Sequence, residues 1–539
     1  MRIRGLLREK IWGKKVRKIY PHVSFKPPKN LIVLPDFKKA QDVDVIYPIF
    51  RPFVYIHVKW VSEKKKLIYE IIEPKLLQGE KDILKKIKRD LTEIIDVDLA
   101  VIKKESKIFD YLEEQLRKVL EDENLVLPEK TYMKISYYIY RDFVGFNEIE
   151  PILNDPYIED ITCDGLGIPV FVVHRKFGSL ETNIVFDNIE YLNNFVIKLA
   201  ERCGRYISYA SPLLDGTLPD GSRVQATLAK DVTTRGPTFT IRKFRSEPFS
   251  PIDIINMNTA SSEIMAYMWL VIESRASVLI CGGTSTGKTT FLNGISMFIP
   301  RENKIVSIED TRELNLPHEN WIPSVSRVGF GIPREEGKRY GEVTLYELLK
   351  ESFRQNPDYV IVGEVRGKEA YVLFQGMASG HASLATIHAG SADDVIKRLE
   401  TPPINLSPSL IETLDIIIVM THAKEKGESA RRVKEITEIQ GIDLNTGNAQ
   451  IYKAFSWIPY NDNFEGNPSE SHLLRRISYE KGLSHSELLK ELENRKRVLD
   501  WMRKHEIKNY RDVCKLINFY YKDKSAVLQL VEKDLPPKL

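Results

Sequence analysis

The chain has 539 residues, 42% hydrophobic and 29% charged, with a formal net charge of +4, which suits a soluble globular protein of two to four domains. No apolar stretch approaches the run of about eighteen residues that spans a bilayer. The four cysteines, Cys163, Cys203, Cys281 and Cys514, are too far apart for a metal pair or a disulfide framework, which points to a reducing cytosolic home.

The charge is unevenly placed. The first twenty residues hold eight bases against one acid, Glu9, and carry Ile3, Leu6, Leu7, Ile11, Trp12, Val16 and Ile19 near helical period. Residues 1–30 therefore read as a basic amphipathic segment suited to an anionic membrane or an acidic partner, or as a helix docked on its own domain. It lacks the continuous apolar core of a signal peptide. Val54, Ile56, Val58 and Trp60 then alternate with polar positions as in a half-buried strand, and Leu67–Ile72 completes a hairpin. A charged helical stretch follows from Glu80, and the acidic run Glu121–Glu129 with Pro128 marks a boundary, so residues 31–125 form one α+β region. Residues 126–244 read as a compact α/β domain with strands at 158–162, 170–174 and 239–244 and a helix over 191–202. Residues 245–251, with two prolines and two serines, are the best linker.

From Ile252 short apolar strands alternate with helices, the rhythm of a mostly parallel sheet covered by helices, to about residue 465. The strands are 278–280, 305–308, 359–362 and 384–387. Ile264–Ile272 is apolar but is ended by Glu273 and Arg275. Residues 466–539 read as a helical tail, opened by the capping box Ser484-His485-Ser486-Glu487.

The chain is organised around Cys281-Gly282-Gly283-Thr284-Ser285-Thr286-Gly287-Lys288-Thr289-Thr290, with the run Val278-Leu279-Ile280 before it and an amphipathic stretch after it. That is the strand, glycine loop and helix of a G-x-x-x-x-G-K-[ST] phosphate loop. Backbone N–H groups from Gly282 to Thr290 face phosphate oxygens, Lys288 reaches the β- and γ-phosphates, and Thr289 ligates Mg²⁺. ATP and Mg²⁺ are the implied cofactors.

Two further strands end in carboxylates. Ile308-Glu309-Asp310 places Glu309 and Asp310 at a strand's C-terminal end, and Val362-Gly363-Glu364 places Glu364 at another, along the edge where open α/β sheets bind ligands. Most phosphate-loop enzymes carry aspartate where Gly363 stands, so Glu364 must act instead. Glu364 and Glu309 both qualify as general base, with a slight preference for Glu364; Asp310 is an indirect Mg²⁺ ligand. His381 and His388 bracket the strand at 384–387, and His388 leaves it on the same edge, in reach of the γ-phosphate.

Together the phosphate loop, Ile308–Leu314, Val362–Arg366 and Thr386-Ile387-His388-Ala389 resemble the Walker A, aspartate, Walker B and histidine boxes of the type II/type IV secretion ATPase superfamily. The glycine at 363 is a feature of that family. The likeness takes in Leu218–Arg223, Thr240–Phe244 and Arg431-Arg432-Val433, and points to the archaeal branch of archaellum and pilus-assembly ATPases. It implies a RecA-like phosphate-loop core with an N-terminal α/β domain and a helical C-terminal tail. It also implies a homohexamer, ATP hydrolysis, a polytopic membrane platform protein as partner, and a peripheral place at the inner face of the cell membrane. Arg223 matches the family's nucleotide-facing arginine. The rival readings are a nucleic-acid motor, for which no basic aromatic groove is visible, and a non-hydrolysing scaffold, against which Glu309, Asp310 and Glu364 argue; no nucleic acid partner is expected.

Overall fold

The computed structural model describes residues 20–23, 25, 32–94, 105–228, 230–244, 247–329, 339–425, 428–443 and 449–537; the basic amphipathic run through residue 19 lies outside the described residues. The chain divides into two units, Met1–Phe244 and Arg245–Leu539.

The first unit is built on strands β1 (Asp44–Phe50), β2 (Val54–Val61), β3 (Lys66–Ile72), β4 (Ile158–Cys163), β5 (Pro169–His174), β6 (Gly178–Val185), β7 (Leu213–Thr217), β8 (Arg223–Thr227) and β9 (Thr238–Arg242). In β2, Val54, Ile56 and Val58 are buried while Tyr55, His57 and Lys59 are half-exposed, the alternation read from the sequence. The helix Ile189–Arg202 begins where Asn188 accepts the Tyr191 N–H at 2.9 Å.

The boundary expected near residue 125 is not a division of this sheet. Its order is β1-β2-β3-β6-β5-β4-β9-β8-β7, and β3 pairs in parallel with β6 at Ile68↔Glu181 and Tyr69↔Thr182. The buried Asp155 carboxylate, just before β4, accepts hydrogen bonds from Tyr47 and Tyr69, both at 2.7 Å. Two strands from before the acidic run are thus held by a carboxylate from after it. An acidic turn is a local signal, whereas the pairing that overrides it spans more than a hundred residues.

The second unit carries β10 (Val278–Gly282), β11 (Ile305–Glu309), β12 (Trp321–Val325), β13 (Tyr359–Val365), β14 (Ala382–Ile387), β15 (Ile416–Glu425), β16 (Glu428–Ile442), β17 (Ala449–Ile458) and β18 (Asn463–Gly466). Their order is β12-β11-β13-β14-β10-β15-β16-β17-β18. The six from β12 to β15 run parallel, and β16–β18 extend the sheet antiparallel. Parallel strands end on one edge, so the segments leaving β10, β11, β13 and β14 meet there.

The helix Ser262–Glu273 is apolar all round because it is buried all round: every residue from Ile264 to Ile272 is inaccessible to solvent. Among the described residues no helix is long and apolar enough to cross a membrane. Nor is the tail a separate body. Leu488, Leu492, Val498, Leu499 and Met502 of helix His485–Lys504 share one apolar core with Ile264–Ile272, and Trp269 Nε1 donates to Tyr521 of helix Tyr510–Lys522 at 2.7 Å. The expected boundary at 466 marks a change of secondary structure inside one unit.

Candidate nucleotide site

β10 is buried along its length between β14 and β15. The backbone then turns sharply. Gly282 has φ 154, and a Cβ there would lie 2.6 Å from the Met420 carbonyl oxygen and 2.7 Å from Thr286 Oγ1, so only glycine fits. Gly287 has φ 88 and precedes the helix Lys288–Ser296. Between them Gly283, Thr284 and Ser285 are exposed, and Thr286 is buried with its hydroxyl donating to the Gly283 carbonyl at 3.0 Å. Thr289 is half-buried and Thr290 exposed on the helix's first turn, whose N–H groups have no intrahelical acceptor. The loop and that turn together present donors and a positive helix end to an anion.

Lys288 is 8% exposed, and its Nζ donates to the carbonyls of Gly282 at 3.1 Å and Gly283 at 2.8 Å. Burial lowers its pKa, against the opposing field of Glu364. Nζ also lies 3.3 Å from His388 Nδ1, and His388 Nε2 lies 2.8 Å from Glu364 Oε1. An ammonium can only donate, so Nδ1 is the acceptor there, while the Nε2–Oε1 approach is close without hydrogen-bond geometry: Glu364 Oε1 has no hydrogen-bond partner among the described residues. Lys288, His388 and Glu364 thus form one polar chain across β10, β14 and β13.

The two candidate bases have opposite environments. Glu309, at the end of β11, is 2% exposed. Its Oε1 accepts the N–H groups of Glu313 at 2.9 Å and Leu314 at 3.0 Å, while Oε2 is buried with no hydrogen-bond partner among the described residues. Burial pushes this carboxyl up to about 7, despite those two amides. Burial also acts on Glu364, but Arg366, His388 and Lys288 outweigh it and hold that carboxyl below its ordinary value. One carboxyl pushed up and one held down on the same edge separates a proton acceptor from a standing anion. Asp310 accepts from Ser326 Oγ at 3.1 Å and lies 3.7 Å from Arg366 Nη1.

Arg223 stands on β8 of the first unit, where its Nε and Nη2 donate to Asp215 at 3.3 and 3.0 Å. His381 sits at the other end of β14, donating to the Gly376 carbonyl at 3.3 Å, a helix-end contact away from the loop. Two residues given no role by the sequence do touch the loop. His422 Nε2 donates to the Thr284 carbonyl at 3.3 Å, and Arg431 Nε to the Ser285 carbonyl at 3.4 Å. They face each other across β15 and β16, a register that no local pattern encodes.

Residues 171–453 match the model of the type II/IV secretion system protein family, and residues 461–536 that of the PilB3-like C-terminal family. An uncharacterized protein of Methanocaldococcus jannaschii is 35% identical over 511 residues, which is 90% of each chain. The type IV secretion system protein PtlH of Bordetella pertussis is 31% identical over 47% of this chain and 83% of its own. Among solved structures, the Legionella pneumophila ATPase DotB aligns at 17% identity and a TM-score of 0.38, over 68% of this chain and 92% of that one. On the family match and the full-length archaeal relative, the chain belongs to the type II/IV secretion system protein family.

Proposed function

We propose that the chain is a hexameric ATP-hydrolysing motor that drives assembly, rotation or secretion through an archaellum- or type IV pilus-like membrane machine. The observation that carries the reading is the pairing of the phosphate loop with a buried carboxylate oxygen, Glu309 Oε2, that has no hydrogen-bond partner among the described residues and sits on a carboxyl pushed up to about 7. A base whose pKa lies near the working pH is suited to taking a proton from water as it attacks the γ-phosphate.

In this mechanism Gly282–Thr290 wrap the phosphates with backbone N–H groups, and Lys288 turns from the Gly282 and Gly283 carbonyls to the β/γ oxygens. Glu309 Oε2 accepts the water proton, phosphate leaves with ADP, and the proton returns to solvent. His388 holds Lys288 and Glu364 in line. Mg²⁺, when bound, would neutralise phosphate charge; the Thr289 hydroxyl would hold it and Asp310 would act on it indirectly, both being hard oxygen donors of the kind it takes. Among the described residues no three His, Cys, Asp or Glu side chains converge on a metal cage, as suits an ion held chiefly by the nucleotide. Arg223, the counterpart of the family's nucleotide-facing arginine, is the proposed transition-state arginine.

PtlH is a type IV secretion protein and the PilB3-like family matches the tail, and both support work at a membrane-bound machine. A polytopic platform protein is the proposed partner, the chain lying peripherally on the cytoplasmic face with its basic start towards anionic lipid. The test is phosphate release by the full chain and by Lys288→Ala. Loss of all but about a tenth or less of the rate is expected, because catalysis of this kind is positioning and electrostatics. A Lys288→Ala variant with near-normal turnover overturns the reading, and so does a rate that depends on added single-stranded DNA.

A further inference from the structure

The phosphate loop is gripped from behind. The carbonyls of Thr284 and Ser285 each meet a side chain: His422 Nε2 at 3.3 Å and Arg431 Nε at 3.4 Å. These side chains stand opposite one another in the β15–β16 ladder. A Cβ placed on Gly287 would touch Arg431 Cγ at 3.7 Å, so the arginine's stem also lies along the loop's closing residue. Ser285 has φ 57, a left-handed conformation that an L side chain adopts at a cost.

In a peptide unit the carbonyl and the N–H point opposite ways, so holding the carbonyls of 284 and 285 on these side chains also fixes the directions of the N–H groups of 285 and 286. Inward-facing successive N–H groups are what make an anion nest. Sheet order puts this grip on the flank away from the chemistry: β14 and β13, with His388 and Glu364, lie on one side of β10, and β15 and β16 on the other.

We propose that His422 and Arg431 are positioning residues that pre-shape the phosphate loop, setting nucleotide affinity rather than the rate of the chemical step. The inference rests on the nucleotide-site reading above. It requires no contact between either side chain and the nucleotide. Both diphosphate and triphosphate therefore depend on it equally, since each places its α- and β-phosphates in the loop.

The experiment titrates the full chain with Mg-ADP and with a non-hydrolysable Mg-ATP analogue, and measures KM and kcat alongside. Arg431→Ala and His422→Ala are each expected to weaken both nucleotides about 3- to 10-fold, the worth of one hydrogen bond to a carbonyl. The loss is expected in Kd and KM rather than in kcat at saturation. His422→Gln, whose amide nitrogen can reach the same carbonyl, is expected to recover most of the affinity, which a general folding defect in the alanine variant would not predict. Unchanged affinity in both alanine variants, with wild type binding normally, overturns the inference and leaves the proposed function standing. A loss confined to the triphosphate, or to kcat, overturns it in favour of direct contact with the reacting end. A wild-type chain that binds neither nucleotide instead removes the nucleotide-site reading itself.

Discussion

A Cβ on residue 363 would lie 3.1 Å from Glu309 Cγ, so the glycine near the end of β13 and the buried carboxylate ending β11 are one feature. The aspartate found at that place in most phosphate-loop enzymes would press on the very side chain that here supplies the candidate base. Glu309 has little room to yield, because its Oε1 is tied to two backbone amides and β11 is buried throughout.

Gly363→Ala is therefore expected to keep nucleotide binding and lose turnover. A base displaced by a few tenths of an ångström to an ångström costs about tenfold to a hundredfold in rate. Affinity and kcat measured side by side check this. Equal turnover in the variant would show that Glu309 tolerates the push.

Glu309→Gln should give a protein that is inactive yet more stable at alkaline pH. The folded chain raises this carboxyl from its ordinary value of 4.5 to about 7, so folding favours the protonated form. Its contribution to stability is complete below about pH 4.5 and is lost as pH rises through 7, a span worth about 3 kcal/mol. Glutamine has no charge to desolvate. The variant should match wild type near pH 4.5 and exceed it by up to about 3 kcal/mol at pH 8, while turnover falls by about 10²–10⁴. Wild-type kcat should climb with pH through about 7 as the carboxylate forms. Denaturation midpoints at the two pH values and a kcat–pH profile are the measurements; a stability gap that ignores pH would contradict the assignment.

The contrast between Glu309 and Glu364 could not be read from sequence, where each is a carboxylate closing an apolar strand. Position on the sheet edge is local and periodic, so the placement of both residues and of His388 there was legible. Their acid–base character depends on what surrounds them, and Glu313, Leu314 and Arg366 become neighbours only through loop geometry and strand order. The same division runs through the fold. β10, β11, β13 and β14 are continuous apolar runs and legible as such. β12 and β7 are edge strands with exposed residues, and β16–β18 add antiparallel strands to a parallel sheet; all were missed. His422 belongs to that missed part, and Arg431, noted only within Arg431-Arg432-Val433, was given no contact with the loop.

Arg223→Ala distinguishes a structural arginine from a catalytic one. Its visible partner is Asp215, and both side chains are substantially exposed, 44% and 55%. A surface pair of this kind is worth at most about 1 kcal/mol, so thermal stability should barely move. If the arginine meets the γ-phosphate in the working ring, turnover of the full chain should fall by about 10³ or more. Stability and turnover both close to wild type would reduce Arg223 to its pair with Asp215.

The tail should prove to be pinned to the core by Arg495. Its guanidinium is almost wholly buried, donates to Glu273 and to Glu491 Oε1 at 3.0 Å, and lies 5.1 Å from the Trp269 ring centre. Glu273 ends the buried helix Ser262–Glu273, and Glu491 belongs to the tail helix His485–Lys504, so one cation ties the two together. Burial alone would raise both carboxyls, but Arg495, with Lys481 and Lys524, holds them below their ordinary values. A depressed carboxyl gives stability that is present above about pH 4.5 and is lost as pH falls through its lower folded value. Arg495→Ala removes the cation shared by two partly buried carboxylates, leaving Glu273 to Lys481 and Glu491 to Lys524, and should cost at most about 3–5 kcal/mol at pH 7. With the arginine gone, only Lys481 and Lys524 oppose burial, both carboxyls rise, and protonation relieves part of the variant's loss as acid is added. The gap between wild type and variant should therefore shrink towards pH 4. Denaturant titrations at pH 7 and pH 4 decide it: an undiminished gap at pH 4 would assign the loss to packing against Trp269 rather than to charge.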